Sequence, residues 1–66
     1  MDAVDRLLTP DETAKFLRLR VRTLEAMRQR STGPNFIRYS GRCVRYRLSE
    51  LQAWLAAREV NTEVVA

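Results

Sequence analysis

The sequence predicts a small α+β domain built from two short helices, a β-hairpin and a third helix, in that order. Two observations predict this fold class. Helix-start signals recur at Thr9 and Ser49, and from Phe36 to Arg47 the apolar residues follow a period of two rather than three or four. Since a chain of 66 residues makes one domain, we expect a single domain over residues 1–66, with its core at about 7–58 and a flexible tail at 59–66.

The first helix is predicted to begin at Pro10, because three start signals coincide there. Thr9 is a good N-cap, Pro10 occupies the first helical position, where a missing N–H costs nothing, and Glu12 completes a capping box. Ala14, Phe16 and Leu17 follow on a helical period and supply apolar positions. The helix is expected to end near Leu17.

The second helix is predicted to begin near Val21. Leu24 and Met27 lie three residues apart and should face the core, whereas the turn-forming residues 31–34 end the helix. The opposite, polar face carries Arg22, Glu25, Ala26, Arg28 and Gln29. Two short helices joined by a short connection are a helix-turn-helix candidate.

Residues 36–47 are predicted to form the hairpin, with its turn at Ser40-Gly41, where glycine supplies the positive φ that a tight turn needs. Alternation divides the side chains between two faces. The face expected to dock on the core carries Ile37, Tyr39, Val44 and Tyr46. The opposite face carries Arg38, Arg45 and Arg47, and Arg42 lies near the tip.

The third helix is predicted to begin with a capping box at Ser49 and to run to about Arg58. Leu51, Trp54 and Leu55 form its apolar stripe. Trp54 is the largest apolar side chain and is expected to anchor the core. Phe16, Phe36 and Tyr46 are assigned to the same core. Aromatic side chains can also stack on nucleic-acid bases, but the spacing of these three beside other apolar residues favours core packing.

Composition limits the possible functions. The formal net charge is +4, and eleven of the twelve basic residues are arginine, whose planar fork matches phosphate and guanine. Histidine is absent and Cys43 is the only cysteine, so we expect no catalytic residues, no metal site, no cofactor and no internal disulfide. No apolar run is long enough to span a bilayer. The prediction is a non-enzymatic, cytoplasmic, basic domain without a membrane segment.

Four segments occur in the order LLTPDETAKFL, RTLEAMR, GPNFIRYSGRCVRYR and LSELQAWLAAR. This arrangement resembles the excisionase-type, MerR-like winged helix-turn-helix family and covers about residues 7–58. The resemblance implies a double-stranded DNA-binding fold whose second helix enters the major groove and whose hairpin, the wing, follows the neighbouring backbone or minor groove.

The resemblance assigns DNA-contacting roles to residues of both elements. Base edges would be met by Arg22, Glu25, Ala26 and Gln29, since arginine suits guanine, glutamine suits adenine, and a carboxylate accepts from cytosine. Phosphates would be held by Arg20, Thr23 and Arg28. The wing would contribute Arg38, Ser40, Arg42, Arg45 and Arg47. For all of these arginines the alternative is an ordinary solvated surface.

This sequence departs from the family pattern at two positions. Arg18 stands where the turn often has glycine, and Arg20 stands where a serine or threonine N-cap is usual. Each change costs about 1 kcal/mol locally, so that either the turn geometry differs or the added charge serves DNA binding.

The resemblance implies an excisionase, or recombination directionality factor, that binds and bends attachment-site DNA and directs an integrase toward excision. Proteins of this kind divide between such excisionases and small transcription regulators, and the excisionase is the leading hypothesis. The integrase and neighbouring copies of this chain on DNA are then further expected partners, and no small-molecule effector is expected. Two alternatives stay open: a small phage or mobile-element transcription regulator, and, from another class, a basic protein-interaction module with an acidic partner.

Overall fold

The computed structural model describes residues 5–60, in which three helices pack against a three-stranded antiparallel sheet. The elements are β1 (Leu7–Leu8), α1 (Pro10–Leu17), α2 (Val21–Arg30), β2 (Ile37–Ser40), β3 (Cys43–Arg47) and α3 (Leu48–Arg58). Strand β3 lies between β1 and β2. The predicted α+β class is confirmed, and β1 is an addition, because two residues are too few to show a periodicity. Of the predicted tail, residues 61–66 lie outside the described part of the chain.

The capping box of α1 is present as predicted. The backbone N–H of Glu12 donates to Thr9 Oγ1 at 3.1 Å, and the backbone N–H of Thr9 donates to Glu12 Oε1 at 2.9 Å. The hydrogen bond from the Thr9 backbone is the main reason that the pKa of Glu12 lies below its usual value, and the positive charges of Arg6 and Arg45 add to it. Each of the two residues in the capping box thus accepts a hydrogen bond from the backbone N–H of the other.

The end of α1 explains the turn between the first two helices. Arg18 adopts the left-handed conformation, with φ 59° and ψ 42°. Its N–H donates to the carbonyl of Lys15 at 3.1 Å, and the N–H of Leu19 donates to the carbonyl of Ala14 at 2.9 Å. This pair of bonds is a Schellman motif, which usually places glycine at the left-handed position. An arginine therefore occupies the left-handed position at which this motif usually has glycine.

Helix α2 has the predicted bounds and ends in the same motif. Ser31 has φ 57° and ψ 38°, and the N–H of Thr32 donates to the carbonyl of Met27 at 3.0 Å. Leu24 is fully buried. Gly33 passes close behind, where an added Cβ would lie 3.0 Å from Met27 Cβ, so a side chain at this position would crowd Met27.

Helix α3 starts one residue before the predicted N-cap, and its cap comes from elsewhere in the chain. The predicted capping box at Ser49 is wrong, because the helix begins at Leu48 and the residue before it makes no side-chain cap bond. Instead, Asp5 accepts from the Ser49 backbone N–H at 3.0 Å and from Ser49 Oγ at 2.9 Å. The backbone bond is the main reason that the pKa of Asp5 is lowered. The predicted end at about Arg58 is confirmed.

The register of the hairpin corrects the predicted division of its faces. Arg38 lies opposite Val44, and Ile37 lies opposite Arg45. Because residues directly opposite in an antiparallel pair share a face, Arg38, although exposed, lies on the same face as the buried Val44, and Ile37 lies on the other face with Arg45. The prediction that Ile37 docks on the core beside Val44 is wrong. Alternation within each strand was assigned correctly, but the relation between the two strands was not.

A bulge near the tip accounts for a second correction. The register shifts between Arg38 and Ser40, so that Tyr39 is an extra residue on β2. Tyr39 is 56% exposed rather than buried. The turn consists of residues 41–42, with Gly41 at φ +38° as the residue of positive φ. Ser40 still belongs to β2, where it pairs with Cys43.

The core is smaller than predicted and is organised around the sheet. Its buried members are Leu8, Ala14, Leu24, Val44, Tyr46 and Leu51. Phe36 packs partly buried against them, whereas Phe16 is 43% exposed and was wrongly assigned to the core. Trp54 is only half-buried and lies outside this cluster, so the prediction that it anchors the core is wrong. Tyr46 has that role instead, since it is the largest fully buried side chain.

No helix among residues 5–60 is both long enough and apolar enough to pass through a bilayer.

Candidate nucleic-acid interface

The exposed face of α2 presents the residues that were predicted to meet base edges. Arg22, Glu25 and Gln29 are exposed and Ala26 is half-buried. Their spacing of three, four and seven residues places them on one side of the helix. Leu24, on the other side, is fully buried. The helix therefore holds a guanidinium, a carboxylate and an amide outward in a fixed row.

The N-terminus of α2 carries positive charge where helices usually carry serine or aspartate. Arg20 is the N-cap residue and makes no side-chain cap bond, and the first turn contains no acidic residue. Arg20 and Thr23 are both exposed. Arg18, exposed as well, lies two residues before the N-cap. These side chains are placed where they can reach a ligand lying across the start of the helix.

Arg28 occupies a different place from the other polar residues of α2. It is half-buried, its Nη1 donates to Tyr46 Oη at 3.2 Å, and its guanidinium lies 5.8 Å from the centre of the Phe36 ring. Because Arg28 follows Leu24 by four residues, it lies on the side of the helix that faces the sheet. Its predicted place on the polar face opposite Leu24 is therefore wrong, and it links α2 to the hairpin.

The tip of the hairpin holds Arg38, Ser40 and Arg42, all exposed. Arg38 Nη1 donates to the carbonyl of Gly41 at 2.7 Å, and the Arg38 guanidinium lies 5.4 Å from the centre of the Phe36 ring. The side chain of Arg38, a residue of β2, thus stabilises the turn by a hydrogen bond to its backbone. Arg42 occupies the second turn residue.

The remaining two wing arginines are bound within the protein. Arg45 is half-buried and its Nη1 donates to the carbonyl of Val44 at 2.8 Å. Arg47 lies at the end of β3 away from the turn, where its Nη1 is 3.6 Å from Asp5 Oδ2. Arg45 and Arg47 therefore lie apart from the hairpin tip, although they belong to the same series of arginines in the sequence.

A groove of about 360 Å³ runs between α2 and the hairpin. Helix α2 lines it with Glu25, Arg28 and Gln29, and the hairpin lines it with Arg38 and Arg42. Three guanidinium groups and one carboxylate thus share one groove, whose balance of charge is positive. Such a groove attracts a polyanion.

Phe36 is a residue of this site that the sequence analysis placed only in the core. Its ring contacts Arg28 and Arg38 together and is 6.0 Å, centre to centre, from the ring of Tyr46. A signal was present in the sequence, since Arg38 follows Phe36 by two residues and an extended chain places both on one face.

Among residues 5–60, no three histidine, cysteine, aspartate or glutamate side chains come together in a way that could hold a metal ion. Cys43 is a free thiol, half-buried on β3. The guanidinium groups that line the groove, those of Arg28, Arg38 and Arg42, are suited to binding an anion by hydrogen bonds and charge.

Two helices joined by the three residues 18–20, with the second helix presenting polar side chains beside a hairpin, define a winged helix-turn-helix domain, a class of DNA-binding fold. The family comparison agrees with this class: the model of the helix-turn-helix domain family matches residues 7–59, and the chain belongs to that family. No curated protein and no solved structure matches this chain.

Proposed function

We propose that this protein binds double-stranded DNA in a sequence-specific manner, with the exposed face of α2 in the major groove and the hairpin tip along the adjacent backbone. One observation carries the proposal. Guanidinium groups from α2 and from the hairpin, those of Arg28, Arg38 and Arg42, line the same groove. A duplex presents phosphates beside base edges, so one surface of this kind can bind both.

In this proposal the exposed face of α2 reads the bases. Arg22 can donate two hydrogen bonds to guanine O6 and N7, Gln29 can pair with adenine N6 and N7, and Glu25 can accept from cytosine N4. Ala26 leaves room for close approach or contacts a thymine methyl group. These four side chains specify sequence in this proposal.

Phosphate binding falls to the arginines around that row and to Thr23. Arg20 and Thr23 lie at the start of α2, and Arg38, Ser40 and Arg42 lie at the hairpin tip. Arg45 and Arg47 should contribute less, because neither lines the groove between α2 and the hairpin, Arg45 is half-buried and Arg47 pairs with Asp5. Each phosphate neutralised adds about 0.9 to the slope of log affinity against log salt.

The test begins with selection of a binding site from a pool of randomised duplexes, followed by footprinting and salt titration. Arg22→Ala should cost about 1–3 kcal/mol on the selected site and relax preference at one base pair. Arg42→Ala should weaken binding to all duplexes alike and lower the salt slope by about 1. A wild-type protein with no sequence preference and a shallow salt slope would contradict the proposal and favour an acidic protein partner.

Within DNA binding, the finer proposal is an excisionase that bends attachment-site DNA and directs an integrase toward excision. It is supported by the order of segments that resembles that family and by two adjacent basic elements that DNA can wrap. Bending a site of 20–30 bp costs about 1–6 kcal/mol, which arginine contacts to phosphates can offset.

Bending and excision test this finer proposal separately from DNA binding. The selected site is placed at different positions in fragments of equal length, and the mobility of each complex reports the bend. Excision is then measured with an integrase encoded beside this chain. A straight complex and unchanged excision, together with altered activity of a nearby promoter, would favour the transcription regulator instead.

A further inference from the structure

One aromatic ring links α2 to the hairpin through two arginines. The guanidinium of Arg28, from the helix, lies 5.8 Å from the centre of the Phe36 ring, and that of Arg38, from β2, lies 5.4 Å from the same centre. A guanidinium within about 6 Å of an aromatic ring is attracted to its face. Two like charges from different elements are thus gathered at one ring.

Each of the two guanidinium groups is also fixed by a hydrogen bond. Arg28 Nη1 donates to Tyr46 Oη at 3.2 Å, and Arg38 Nη1 donates to the carbonyl of Gly41 at 2.7 Å. Tyr46 is fully buried, so Arg28 is held by the core itself. These bonds use one of the five N–H donors of each guanidinium, and the others can bind a ligand.

The charges around this ring are mostly positive, which favours the binding of an anion. Arg28 and Arg38 line the same groove as Arg42, and Glu25 is the carboxylate that lines it with them. The groove volume of about 360 Å³ is many times the roughly 30 Å³ that one water molecule occupies in the liquid. A tetrahedral phosphate fits such a space and can accept from two arginines at once.

We infer that Arg28 and Arg38 bind one and the same backbone phosphate of DNA, and that Phe36 is the positioning residue that holds their guanidinium groups together. This inference rests on the proposed DNA binding and adds to it a defined contact shared by the helix and the wing. The shared phosphate fixes the angle between the two elements on the duplex, because neither arginine can shift without the other.

A double-mutant cycle distinguishes one shared phosphate from two separate ones. Arg28→Gln and Arg38→Gln should each weaken binding to the selected duplex about tenfold, and the double variant should also lose about tenfold rather than a hundredfold. Arg20→Gln combined with Arg38→Gln is the matched control, in which the losses should multiply.

Variants of Phe36 test its positioning role. Phe36→Leu keeps an apolar side chain but removes the ring, and it should lower the salt slope by about 0.9, a quantity that a merely structural loss does not change. Phe36→Tyr keeps the ring and should restore the slope. Circular dichroism confirms folding, and the arginine cycle gives the answer even where Phe36→Leu unfolds.

The outcomes separate this inference from the proposed function. Losses that multiply in Arg28→Gln with Arg38→Gln, or an unchanged slope in folded Phe36→Leu, would overturn the shared phosphate while leaving DNA binding intact. A wild-type protein that binds no duplex would overturn the proposed function itself.

Discussion

The first two helices begin in opposite ways. Helix α1 begins with a complete capping box, in which Thr9 and Glu12 satisfy each other's backbone N–H groups. Helix α2 begins at an arginine N-cap without a side-chain cap bond, follows a left-handed Arg18, and has no acidic residue in its first turn. Both helices belong to one motif of the same small domain, so the two starts can be compared directly.

The difference shows where stability and proposed function compete. A cation at a helix N-terminus opposes the helix dipole, and a non-glycine residue in the left-handed region is strained. The N-terminus of α1 has neither of these features. At the start of α2, positive charge replaces the residues that stability favours, which is the pattern expected where a surface is retained for a polyanion.

The largest expected effect on stability comes from removing the cap of α1. Thr9→Ala should lower the free energy of unfolding by about 1 kcal/mol, because the N–H groups at the helix start lose their partner. In a domain of this size the melting temperature should fall by about 4–8 °C. DNA affinity below the melting temperature should be unchanged. Calorimetry and a binding titration check both parts, and a loss of affinity in the folded variant would break the comparison.

The opposite change at α2 should have the opposite sign. Arg20→Ser supplies the missing cap and should raise the free energy of unfolding by about 0.5–1 kcal/mol, while lowering the salt slope of DNA binding by about 0.9. Urea unfolding and a salt titration measure the two effects. Arg20→Gln removes the charge without supplying a good cap, so it should lose the phosphate contact with no gain in stability.

The two Schellman motifs offer a smaller, matched test. Arg18→Gly should raise the free energy of unfolding by about 0.5 kcal/mol, since relief of roughly 1 kcal/mol of left-handed strain is partly offset by the greater freedom of glycine in the unfolded chain. Ser31→Gly changes the same backbone conformation at the end of α2 and should give an equal gain. Only Arg18→Gly should weaken DNA binding, and equal losses in both variants would show that backbone geometry, not charge, is responsible.

The smallest expected effect concerns pH. The pKa of Asp5 lies below 3.8 and that of Glu12 below 4.5 in the folded protein, so their bonds stabilise the fold above these values. The stabilisation is lost as the pH falls through the lowered pKa of each group. Stability should therefore be level down to about pH 5 and decline below it.

Asp5→Asn should make this decline shallower, because the cap of α3 then no longer titrates. Urea unfolding at a series of pH values measures this change, and a decline that is unchanged in Asp5→Asn would show that this cap does not contribute.

Local signals made the helices predictable from the sequence. Thr9, Pro10 and Glu12 lie within one turn, and their bonds join neighbours in the chain, so the start of α1 needed no knowledge of the fold. The positive φ of Gly41 was predictable for the same reason. The outward row on α2 followed from helical spacing alone, and the structure places Arg22, Glu25 and Gln29 on the exposed side as predicted.

Distant partners made the other features unpredictable. The cap of α3 comes from Asp5, 44 residues before Ser49, and no local pattern at Ser49 reveals it. The face of Ile37 depends on the register between two strands, and a bulge near Tyr39 changes that register. The shared site at Phe36 requires α2 and β2 to meet, although the position of Arg28 four residues after Leu24 was a usable signal that it faces the sheet.

The most direct test of the central claim, that α2 and the hairpin tip form one DNA-binding surface, is to map amide chemical shifts by NMR on titration with the selected duplex. The account predicts the largest shifts at residues 20–29 and 38–42, with small shifts along α3. Large shifts concentrated on α3, with residues 20–29 and 38–42 unchanged, would contradict it.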